Sequence, residues 1–375
     1  IGDAADATAA QNRMQDCVET WRGPLQRDAA LRSALLAHAE VPDRYATWQR
    51  TVGLYPIVRW PFHAGVQAWE REHALQVARW AASPPPTQRY VPATGPAIDI
   101  AGLWRQRPRD ALGLPQFTAA ETAALLAAYA PAFEIETLGE YDRFGTLAWG
   151  VSIAPAVDTR SPVVYQRVAF MRYRDQLMLQ LVYSLWFPER PPRSRFDLLA
   201  GALDAVVLRI TLAPDDGRPL LVDTVHGCGC YHLFMPTGEV RLRDNPPTDI
   251  EWAYAPMTLP ALRAGERVVV RINSASHDVV GSARDDGATG KPYGMRDENQ
   301  LRHLTAPQGD SRSVYGPDAL VAGSERPERF LYWPMGIASA GAMRQWGHHA
   351  TAFVGRRHFD DADLIEKRFV IPALE

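Results

Sequence analysis

His226-Gly-Cys-Gly-Cys-Tyr-His232 sets two imidazoles and two thiols within seven residues, the densest metal-capable and redox-capable stretch of the chain. In an extended segment successive side chains alternate between faces, so His226, Cys228, Cys230 and His232 would share one face. Three chemistries suit that face. Imidazole and thiolate are donors for zinc or copper. Cys228 and Cys230 can instead pair as a redox couple or small-ring disulfide, with Gly227 and Gly229 relieving the strain of so short a loop. In the third reading the cysteines are small buried hydrophobes and the histidines are hydrogen-bonded polar residues.

A straight strand would hold His226 and His232 about 20 Å apart at ~3.3 Å per residue, so binding one ion requires a bend or bulge at the glycines. Without a bend each imidazole needs distant partners. The candidates are His277, in Ser-Ala-Ser-His-Asp after an expected strand, and the adjacent His348 and His349. A three-His site with an open fourth position is the catalytic pattern for zinc, and a similar set suits copper. Asp278 beside His277 is a candidate acceptor for orienting an imidazole.

Carboxylates form a second constellation. Glu140 and Asp142, in Gly139-Glu-Tyr-Asp-Arg-Phe-Gly145, share a face if extended and can divide general-acid and general-base roles. Arg143 beside them offers a plain salt bridge instead. Asp204 and Asp223 interrupt apolar runs, and a buried carboxylate needs a partner. Arg209 is the candidate across the expected hairpin.

The elements that must position these groups change character along the chain. From about residue 11 to 82 apolar residues recur at helical spacing, as in Met14, Cys17, Val18, Trp21 and Trp69, His73, Val77, Trp80. Ser83-Pro84-Pro85-Pro86 stops the last helix because proline removes donors and forces extended backbone. A loop is expected to about Pro115, then a helix from an N-cap at Thr118 to a stop at Pro131. Beyond it β-branched and alternating runs dominate. Val163 to Phe187 predicts two strands with a turn at Arg174-Asp175. Ala205–Leu212 and Leu220–His226 predict a hairpin around Asp215-Asp216-Gly217-Arg218. Further strands are expected at Arg267–Asn273 and Ala350–Val354, a closing helix near Asp361–Phe369, and a long loop over Gly281–Pro317. The fold class is α+β: a helical region over 1–130 packed on a larger antiparallel β domain over 131–375, either a sandwich or a bent sheet.

A chain of 375 residues that is 46% hydrophobic, with 11 Trp, can bury a substantial core. Some of those tryptophans could line an apolar or carbohydrate-binding cleft. A formal net charge of −3 disfavours a phosphate-binding surface, so no nucleic acid partner is expected. Lysine occurs only at Lys291 and Lys367, an arginine bias that fits a GC-rich bacterial genome. No apolar run reaches the ~20 residues of a membrane span, so no transmembrane segment is expected. The small, polar opening after Ile1 fits a mature N-terminus, which with a possible Cys228–Cys230 bond suggests a periplasmic or secreted protein. The nucleophile elbow, the H-E-x-x-H motif, haem attachment, the calcium loop and a phosphate loop are absent.

The expectation from these residues is an exported bacterial metalloprotein, a metal-dependent hydrolase or oxidoreductase. Its zinc or copper would be gathered by His226, His232 and one or more of His277, His348 and His349, with Glu140 or Asp142 as acid–base groups. The alternative is a noncatalytic envelope protein that binds a small ligand or partner and carries a structural Cys228–Cys230 disulfide.

Overall fold

A computed structural model describes residues 4–38, 43–93, 98–110, 113–150 and 154–375. The first three residues of the opening stretch lie outside them. The chain divides into two compact units, residues 1–42 with 106–118 and residues 43–105 with 119–375.

The smaller unit contains helices α1 (Ala4–Arg27) and α2 (Ala29–His38). Asp28 separates them and caps α2, its Oδ1 accepting from Ala30 N at 2.9 Å and Leu31 N at 3.0 Å. That satisfies two of the amide donors left open at a helix start.

The larger unit opens with α3 (Thr47–Val52) and α4 (Tyr55–Ala82), the 28-residue helix that ends at Ser83 before the prolines. It continues through β1 (Gln88–Pro92), α5 (Ile100–Gln106), α6 (Ala119–Ala128), β2 (Ala132–Ile135), β3 (Thr146–Trp149) and β4 (Pro155–Asp158). The central strands are β5 (Val163–Tyr173), β6 (Gln176–Arg190), β7 (Gly201–Leu212), β8 (Pro219–His226) and β9 (Leu233–Pro236). After β10 (Arg241–Leu242) come β11 (Val268–Ile272), β12 (Val279–Arg284) and β13 (Lys291–Asp297).

Ten of these strands make one sheet in the order β12-β11-β2-β1-β13-β5-β6-β7-β8-β9. The pairs β1–β13, β2–β11 and β5–β13 are parallel and the remainder are antiparallel. The sheet is therefore mostly antiparallel, within a mixed α+β fold.

Local chemistry accounts for the strands that position the site. β6 is buried without a break from Met178 to Phe187, which its nearly continuous apolar run requires of a strand covered on both faces. Arg174, at φ 52°, makes the turn into it. β7 and β8 form the expected hairpin, with Gly217 at φ 81° in the turn and Arg209 facing Asp223 across the ladder.

Two stretches expected to be loops contribute strands. β1 lies in the first and β13 in the second, where Lys291, Pro292 and Gly294 are exposed and only Tyr293 is fully buried. Strands bearing so little apolar alternation take their place from their neighbours in the sheet rather than from their own pattern. The stretch Ala350–Val354 is irregular apart from a bridge between Ala350 and His358, and the closing helix shortens to Leu364–Arg368. Helix α4 packs on the sheet through His73, whose Nε2 lies 2.9 Å from the Val279 carbonyl of β12.

Candidate functional site

The His226–His232 segment is a hairpin loop between β8 and β9 rather than an extended strand. His226 N donates to the Cys230 carbonyl at 3.0 Å, and Gly229 N donates back to the His226 carbonyl at 2.7 Å. Gly229 sits at φ 90°, and a Cβ there would stand 2.6 Å from the Ala350 carbonyl oxygen. A Cβ on Gly227 would meet the Ala205 Cβ at 2.7 Å. Both glycines are thus required by close approach, and they fold the segment back on itself.

The fold-back brings the thiols together. Cys230 N donates to Cys228 Sγ at 3.4 Å, and the cysteines are free. Cys228 is buried beside Ala205, Leu203 and Met343, whereas Cys230 is half-buried. A hydrogen bond from the Cys230 thiol stabilises the Cys228 thiolate and outweighs burial; with Arg326 and His226 nearby, the Cys228 pKa falls to about 6. The same bond, together with burial, pushes the Cys230 thiol well up. Loss of one proton therefore leaves a single negative charge stabilised between two sulfurs.

The histidines part company. His232 Nε2 lies 2.9 Å from Asp223, which also receives Arg209 Nε and Nη2 at 3.0 and 2.6 Å. Burial drives the His232 pKa down to about 3 despite that carboxylate, so the ring is neutral. His277 Nδ1 lies 2.9 Å from Asp204, and its Nε2 lies 3.6 Å from Asp142. His226 stands 3.7 Å from Asp204 on one side and 3.6 Å from Asp278 on the other. His348 Nε2 faces Arg44 at 3.2 Å, and burial holds the His349 pKa at about 3.

Asp142, His277, Asp204, His226 and Asp278 therefore form one alternating chain of carboxylates and imidazoles. Burial would raise the Asp204 pKa, but Arg326 at 3.2 Å, His226 and His277 hold it well below the usual range. Burial opposes a charged His277, yet Asp142 and Asp204 lift its pKa above the ordinary value.

Glu140 and Asp142 do not act as a pair. Residues Glu140–Asp142 form a 3-10 turn, and their side chains have separate partners. Glu140 is exposed and pairs with Arg143 at 3.1 Å, whereas Asp142 is buried under donors from Leu138, Gly139, Ser274 and Ala275.

Among the described residues no three His, Cys, Asp or Glu side chains gather as ligands for one ion. Of the donors expected for zinc or copper, His232 and His277 are hydrogen-bonded to carboxylates and His348 faces Arg44, whereas both ring nitrogens of His226 and His349 have no hydrogen-bond partner among the described residues. The cysteines likewise stand as free thiols rather than a disulfide.

A cavity of about 440 Å³ opens beside the loop, with Cys230, Tyr231 and His232 in its wall. Helix α4 supplies another wall: Pro61 and Phe62, Gly65 and Val66, Trp69 and Glu70 repeat every four residues and so share one face. Trp69 lies 4.9 Å from the Tyr231 ring and 5.7 Å from that of Tyr254. Phe62, Tyr332 and Phe353 cluster elsewhere in the lining, with Tyr332 and Phe353 4.8 Å apart.

Glu70, Glu251 and Glu328 also line it. Burial raises all three: Glu251 to about 7 against the pull of Arg357, and Glu328 to about 8 with the Cys228 thiolate adding to the effect. None of the three was marked out by sequence, because they come from distant segments with no shared motif. Trp69 was legible only as part of a helical apolar stripe. Neither a family model, nor a curated protein, nor a solved structure matches this chain. Function must be argued from the geometry alone.

Proposed function

We propose that this protein binds a small organic molecule in the cavity between α4 and the Gly227–His232 loop, and acts on it through the Cys228–Cys230 dithiol. The observation that carries this reading is that one thiol forms part of the cavity wall while its hydrogen-bonded partner is buried behind it. The volume is within the range of about 300–1,000 Å³ usual for small-molecule sites, and aromatic walls with a few polar groups are their ordinary lining. A thiolate reached below neutral pH is a nucleophile for electrophilic carbon or sulfur. The alternating chain through Asp204 and His226 supports this chemistry, since His226 and Arg326 both favour the thiolate.

The noncatalytic small-ligand reading rests on the same cavity and differs in leaving the thiols unused. The zinc- or copper-dependent reading draws no support from the donor geometry.

Alkylation by iodoacetamide, followed by peptide mass spectrometry across pH 4–10, separates these readings. We expect the Cys228/Cys230 peptide to react with a midpoint near pH 6, as the pair's first ionisation requires. Exposed Cys17 serves as the internal reference thiol. A midpoint at or above about 8.5, that of an ordinary thiol, would remove the dithiol from the mechanism.

A further inference from the structure

We infer that the occupant of this cavity is a protonated organic amine carrying an aromatic or branched apolar body. The inference rests on the small-molecule reading above and adds the charge and hydrogen-bonding character of the ligand.

Charge complementarity is the first support. Glu70, Glu251 and Glu328 face the cavity, with Arg357 the opposing cation in its lining. Glu328 is only 3% exposed, yet no hydrogen bond or ion pair reaches its carboxylate among the described residues. The half-buried Glu70 carboxylate likewise has no hydrogen bond or ion pair among the described residues; Tyr254 Oη reaches that residue's backbone carbonyl instead. A buried carboxylate left without a donor is costly, and a ligand ammonium would meet that need.

The balance of donors and acceptors points the same way. Arg357 is committed to the protein: Nε donates to Thr351 Oγ1 at 2.9 Å, Nη1 to the Trp252 carbonyl at 2.8 Å and Nη2 to the Thr351 carbonyl at 2.8 Å. It has little left for an anionic ligand. His232 adds no free donor either, since its fully buried ring is engaged with Asp223 through Nε2. The site therefore offers acceptors and asks for donors. Trp69, Tyr231 and Tyr254 supply ring faces that favour a cation.

The test uses the full chain and three probes of one size: phenethylammonium, 2-phenylethanol and phenylacetate, titrated by calorimetry at pH 8. Phenethylammonium is expected to bind about tenfold or more tightly than the alcohol, with phenylacetate weakest. Glu328→Gln and Glu70→Gln should each weaken the ammonium by about tenfold and leave the alcohol unchanged. Should the alcohol or the carboxylate bind as tightly as the ammonium to the unaltered protein, the amine assignment falls while the small-molecule cavity stands. Saturable binding of none of the three would overturn both.

Discussion

Two sets of carboxylates in this molecule are treated in opposite ways. Asp204 and Asp223 on the sheet, and Asp142 in the 3-10 turn, are enclosed by arginines, imidazoles and amide donors, and their pKa values are lowered despite burial. Around the cavity, Glu70, Glu251 and Glu328 have their pKa values raised, and two of them lack any hydrogen-bond donor among the described residues. What differs is how fully the protein supplies donors and counter-charge. The first set serves the fold and the thiol; in the cavity Glu251 accepts from Phe353 N and Val354 N at 2.6 and 2.9 Å and faces Arg357 at 3.7 Å, whereas Glu70 and Glu328 await a group from outside.

The contrast is broken most forcefully by removing a counter-charge on the sheet. Arg209→Met leaves Asp223 buried without its guanidinium, and about 3–5 kcal/mol of stability should be lost in denaturant unfolding. Glu328→Gln removes no partner and should change stability by less than about 1 kcal/mol, so equal losses in the two variants would erase the distinction. Gly229→Ala, at positive φ and against the Ala350 carbonyl, should cost about 1–3 kcal/mol and slow thiol alkylation because the loop that pairs the cysteines is displaced.

Titration sharpens the comparison. Glu251 and Glu328 hold protons below about pH 7 and 8, so ammonium affinity should rise with pH from 6 to 9, and binding near neutrality should release protons. Affinity that is flat over that interval would contradict a carboxylate-based site. The buried histidines set the pH dependence of stability below neutrality. His232 and His349 have folded-state pKa values of about 3 against 6.5 unfolded, so only the unfolded chain takes up their protons as pH falls below about 6.5. Thermal stability should therefore decline steadily from pH 6.5 towards 4 in melting experiments. A melting temperature that is unchanged until pH 4 would count against the neutral, buried rings.

How much of this was legible follows the same division. The β7–β8 hairpin was readable because Asp215-Asp216-Gly217-Arg218 is a local turn signal between apolar runs. The Arg209–Asp223 pair followed from it, since cross-strand partners are set by register. The His226–His232 segment was recognisable as chemistry but not as geometry. Period-2 alternation assumes an extended backbone, and two glycines at close contacts with Ala205 and Ala350 overruled it. The cavity was not readable: Glu70, Glu251 and Glu328 meet only through tertiary packing, and nothing local separates them from surface glutamates. β13 escaped for a related reason, its exposed Lys291 and Pro292 being held by β1 and its Gly294–Asp297 by β5.

The most direct test joins cavity and thiol in one reading. With phenethylammonium at about ten times its dissociation constant, alkylation of the Cys228/Cys230 peptide at pH 8 should slow about tenfold, because a filled cavity covers the dithiol at its wall. An unchanged rate with the probe bound would contradict the account, since it would place the ligand site and the dithiol apart.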